Sequence, residues 1–166
     1  MKVNTKKLAF LGMCTCISLM LSYIESVIPP IYPAVPGIKI GLPNIMCVFA
    51  LYRYGTKEAV AISSLRIFLS SLLFGNPWSL AYSAAGAFLS LVIMMILKKT
   101  GIFSATGVSI AGGVSHNAGQ IILAAIVLST KEIGYYMIIL AISGTLAGIA
   151  VGLISSLMLK YIKIAP

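Results

Sequence analysis

Three polar residues, His116, Asn117 and Gln120, interrupt a long apolar stretch flanked by Gly112, Gly113 and Gly119, and Arg66 stands alone halfway along another such stretch. Polar groups inside apolar helices are costly, so they face an interior or a water-filled cavity and mark ligand or proton pathways. Arg66 offers a planar, permanently charged fork that suits a carboxylate or a phosphate. His116 and Gln120, one helical turn apart, could orient a ligand by hydrogen bonds, while Asn117 points to another face of the same helix. Glu25 and Asn44, which flank a proline-rich loop, and Lys39 within it complete the candidate ligand contacts. A lone His without a nearby Cys, Asp or second His makes a poor metal site, so no metal is assigned.

Composition limits the chemistry further. The 166 residues are 60% hydrophobic and 9% charged, with a mean hydropathy of +1.06, which places the chain among polytopic membrane proteins. Acidic residues are confined to Glu25, Glu58 and Glu132, and Asp is absent. Aspartate-rich magnesium sites cannot be built from such a set, and no G-x-x-x-x-G-K-[ST] phosphate loop is present. Neither a catalytic residue nor a cofactor is therefore assigned. The net charge of +9 does not indicate nucleic acid, because Lys and Arg sit at the ends of apolar segments instead of along one basic face. Cys14, Cys16 and Cys47 lie in apolar runs and read as small fillers.

The elements that must position these residues are helices. Spanning the hydrocarbon takes about 20 apolar residues, and six segments meet or approach that length: Leu8–Ile28, Leu42–Tyr54, Lys57–Phe74, Trp78–Leu97, Ser104–Leu128 and Ile133–Ile162. Lys2, Lys6 and Lys7 before the first could open a secretory signal. No small-x-small cleavage site follows, so the segment is read as a retained helix. Four prolines between positions 29 and 36 forbid a helix there, and the loop from Pro29 to Gly41 is expected to act as a lid. Positive residues stay on the cytoplasmic side. With both termini inside, Lys2, Lys6, Lys7, Arg53, Lys57, Lys98, Lys99, Lys160 and Lys163 are cytoplasmic, against Lys39 and Lys131 outside.

A helical rise of about 1.5 Å per residue puts Arg66 and His116 near the midplane, Gln120 somewhat outward, and Glu25, Asn44 and Asn76 near the outer surface. A pocket open to the outside follows. Asn44, just after Pro43, could instead cap its own helix. Gly144, Gly148 and Gly152 repeat G-x-x-x-G on the last helix, a close-packing face for the bundle or for a partner protein.

The run Glu25 to Asn44 (ESVIPPIYPAVPGIKIGLPN), Arg66 with LLFG at 72–75, SAAGAFLSLVIM at 83–94 and VSHNAGQ at 114–120 together resemble the Gx transporter family. That family is also labelled heptaprenyl diphosphate synthase component I and is grouped with the S components of energy-coupling factor transporters. The resemblance implies an all-α fold: one domain over 1–166, a six-helix transmembrane bundle in the cytoplasmic membrane with both termini inside. It also implies a small-molecule ligand bound from the outer side, and an energising membrane/ATPase module as partner. The first helix departs from the S-component docking stripe Ala-x-x-x-Ala, since Ala9 pairs with the bulky Met13 while Gly12 and Cys16 are small.

The synthase label implies instead an accessory subunit beside a soluble prenyltransferase, because a chain without aspartate cannot hold the diphosphate through magnesium. A third reading is a scaffold of a flavin- or quinone-linked redox system in the membrane. Transport of a small, anionic ligand requires only a pocket and a route, and it is the reading these residues fit best.

Overall fold

The computed structural model describes residues 5–28, 41–129 and 135–162. Within them lie six helices and no strand: α1 (Thr5–Val27), α2 (Asn44–Arg53), α3 (Thr56–Leu73), α4 (Pro77–Thr100), α5 (Ala105–Leu128) and α6 (Tyr136–Tyr161). Residues 29–40, on which the expected lid and Lys39 fall, and residues 130–134 lie outside the described residues.

Local sequence explains where the helices begin and end. Asn76 caps α4 by accepting from the Ser79 amide at 2.8 Å, with Pro77 in the first turn where its missing N–H costs nothing. Ser104 caps α5 by accepting from the Gly107 amide at 3.2 Å. Gly101 ends α4 at φ 70°, a left-handed conformation that glycine adopts without a Cβ clash.

Four of the helices, α1, α4, α5 and α6, are long and apolar enough to cross a membrane, which is compatible with a multi-pass membrane protein. The other two fall short for different reasons. α3 carries Lys57, Glu58 and Arg66 within 18 residues. α2 has 10 residues and rises only about 15 Å, half the thickness of a hydrocarbon core.

This short helix is the buried centre of the fold. Every residue from Ile45 to Leu51 is buried, and α1, α3, α5 and α6 all pack on it. Hydrogen bonds pin both of its ends. At the start, Ser18 of α1 donates to the Pro43 carbonyl at 3.0 Å and Ser155 of α6 donates to the Ile45 carbonyl at 3.1 Å. At the end, Lys98 of α4 donates to the Leu51 carbonyl, placing a cation at the negative pole of the helix dipole. Because Ser18 lies in the middle of α1, the start of α2 is held halfway along the stack. Asn44, the residue after Pro43, is placed by the same contact.

α4, α5 and α6 form the tightest part of the fold, and glycine sets their separation. A Cβ on Gly113 would lie 2.3 Å from the Gly144 carbonyl oxygen, one on Gly148 2.5 Å from Ile110 Cα, and one on Gly152 2.6 Å from Thr106 Cα. The G-x-x-x-G stripe of α6 is thus occupied by α5 inside the chain.

Candidate functional site

Arg66 points inward from α3 toward the start of α2 and is only 9% exposed. Its Nη2 donates to Asn44 Oδ1 at 3.4 Å, and its Nε is buried with no hydrogen-bond partner. A buried charge with part of its donor set unused is costly unless something else engages it. Asn44 is the first residue of α2; Pro43 occupies the cap position, and no side chain caps the helix. The Asn44 carboxamide thus serves Arg66 and not its own helix end.

Glu25 joins this group from α1. Its Oε1 accepts from the Gly41 amide at 2.5 Å, in the segment leading to α2. Glu25 therefore ties α1 to the segment before α2, whose first residue pairs with Arg66, and the three residues frame one region at the start of α2. The positive pole of the α2 dipole points into it.

His116 and Gln120 form a second pair. Their side chains meet at 3.3 Å between Nε2 atoms, and both lie against Gly86 of α4, where a Cβ would come within 2.9 Å of His116 Cε1 and 3.0 Å of Gln120 Cγ. Only glycine at this position lets α4 approach these side chains so closely. Asn117 is buried on the other face and donates to the Leu140 carbonyl of α6 at 2.7 Å.

A small cleft adjoins Asn44. It is lined by Asn44 and Val48 of α2, Ser90 and Met94 of α4, Gly112 of α5 and Gly148 of α6, among others, and it has room for about one water molecule. Asn44 belongs to both the Arg66 cluster and the cleft. Gly112 lines the cleft one turn before His116 on α5. Neither Arg66, His116 nor Gln120 lines it.

Sequence reasoning passed over Ser90, Ser109 and the central position of α2. Ser90 and Ser109 are both buried and both line the cleft. The available signal was the placement of small polar residues opposite glycines of a neighbouring helix, Ser90 against Gly112 of α5 and Ser109 against Gly148 and Gly152 of α6. Among the described residues, no group of three His, Cys, Asp or Glu side chains converges as a metal site would require.

A family model described as heptaprenyl diphosphate synthase component I matches residues 14–158. No curated protein and no solved structure matches the chain.

Proposed function

We propose, from the premise that the chain belongs to the heptaprenyl diphosphate synthase component I family, that it binds a small anionic ligand at Arg66 as a membrane transport protein. The observation that carries this reading is the Arg66 guanidinium, buried at mid-height beside the start of α2 with its Nε unpartnered. Intramembrane charges are functional by default, because inserting one costs about 2.5–3.5 kcal/mol on translocon scales. Arg66 anchors the anion, and Asn44 and Glu25 shape its seat. His116 and Gln120, further along α5 from the cleft, orient the rest of the ligand. Asn117 holds α6, and Lys39 draws anions to the mouth beneath the proline-rich loop.

The ligand enters from the extracytoplasmic side, with one domain of six helices in the cytoplasmic membrane and both termini inside. Charge distribution supports this topology. The starts of α1 and α3 meet through a Lys7–Glu58 ion pair at 2.5 Å, and the ends of α2 and α4 meet through Lys98 and Leu51. The basic residues of these four helices, other than Arg66, therefore gather at one end, as expected of a cytoplasmic face. With no phosphate loop in the sequence, active transport draws on a partner module, an ion gradient or another energy source.

The test is ligand identification by mass spectrometry on protein purified in lipid nanodiscs, repeated with Arg66→Ala. An anionic compound retained by the native protein and lost from a folded variant is the expected result, with affinity reduced by about 2–5 kcal/mol. Unchanged retention would make Arg66 a structural residue.

The family description favours a second reading, an accessory subunit that works with a soluble synthase in prenyl diphosphate formation. It calls for copurification with an aspartate-rich prenyltransferase whose activity rises when this chain is added.

A further inference from the structure

Two buried serines make the cleft beside Asn44 more than a packing gap. Ser90 of α4 and Ser109 of α5 are 4% and 3% exposed, and both line it. Thr15, Ser22, Ser115 and Thr145, on α1, α5 and α6, each donate to a carbonyl one turn back in their own helix. Ser90 and Ser109 do not, and neither hydroxyl finds a hydrogen-bond partner within the described residues. The point where a Cβ on Gly112 would stand, at the wall of the cleft, lies 3.2 Å from Ser90 Oγ and 2.6 Å from Met94 Sδ. With Asn44 Oδ1 turned to Arg66, Asn44 Nδ2 lies 3.4 Å from the corresponding point on Gly41, which lines the cleft as well.

Buried donors and acceptors left unpaired are costly. The cleft leaves about 20 Å³ for the centre of a water molecule, and one water needs roughly 10–15 Å³ and two to four polar partners. Among the described residues, no lining residue is charged, and side-chain oxygen comes from Asn44, Ser90 and Ser109, the first already engaged by Arg66. Hard cations take about six oxygens or more, so this set suits water and not a metal ion. We propose that the cleft is a built water site. One ordered water accepts from Asn44 Nδ2 and donates to the hydroxyls of Ser90 and Ser109, tying the start of α2 to α4 and α5 and steadying the carboxamide that Arg66 bonds. The assignment does not depend on the anionic-ligand reading.

X-ray radiolysis of the full chain in lipid nanodiscs tests it, because hydroxyl radicals formed from a held water attack the side chains beside it. Met94 and Met46 are both buried, and Met94 lines the cleft while Met46 does not. Met94 is expected to convert to its sulfoxide at least about tenfold faster than Met46. Equal rates in the native chain would overturn the proposal. With Ser90→Ala and Ser109→Ala combined, the Met94 rate should fall to that of Met46; a rate kept in the variant would mean that bulk solvent and not a held water reaches Met94, and would overturn it too. Should the double variant fail to fold, Ser90→Ala alone carries this comparison. The Met94 rate is expected to be the same in sodium chloride and in choline chloride, and a rate that falls in sodium would give the cleft to a cation instead.

Discussion

At the scale of single residues, two polar side chains singled out from the same kind of sequence signal turn out to do different work. Asn117 donates to the Leu140 carbonyl across the α5–α6 contact and sits in buried surroundings, so its role is to hold two helices together. Interhelical bonds of this kind average about 0.6 kcal/mol and reach about 1.7. Asn117→Ala should lower the unfolding free energy by that amount in a thermal or denaturant titration in detergent, without changing ligand affinity. Loss of ligand at unchanged stability would assign Asn117 to the site instead. Arg66 and Asn44 were both legible in the sequence as polar residues in apolar segments, but their pairing was not. Estimating depth from helical rise places each residue along its own segment and says nothing of which side chains meet, as Arg66 and Asn44 do here.

Helix packing turns on glycine. The spacing of Gly144, Gly148 and Gly152 announced a close-packing face in the sequence, and its partner is α5: Gly113 and the backbone at Ile110 and Thr106 lie where side chains on α6 would have to go. Gly148→Leu would push a side chain against Ile110 Cα and the Ser109 carbonyl, both backbone atoms that cannot rotate aside. Overpacking at such a contact costs about 1–3 kcal/mol or more, so the variant should melt earlier and yield less folded protein. A variant as stable as the native chain would show that the α5–α6 contact is not close in solution. The same substitution at Gly12 of α1, where a Cβ would meet nothing within 4 Å, is the matched control.

For the whole molecule, the gathering of Lys7, Glu58, Lys98 and the end of α2 at one end of the stack carries the topological prediction. Reporters fused to either terminus should score as cytoplasmic, whereas one inserted between α3 and α4, at Gly75, should score as external. A cytoplasmic signal at Gly75 would invert the proposed orientation and place the Arg66 seat on a route from the inside.

Composition and hydropathy alone determined the class, because 60% apolar residues with so few charges belong in an apolar medium, and continuous apolar runs near 20 residues suit helices that bond their own backbone there and not the alternating strands of a barrel. The positions of the six segments followed from the same patterning. What required the tertiary structure was depth and partnership. Whether a short apolar segment spans, or stops halfway and leaves its N-terminus facing a buried arginine, depends on contacts from Ser18, Ser155 and Lys98 in distant parts of the chain. Such contacts leave no periodic trace in the segment itself.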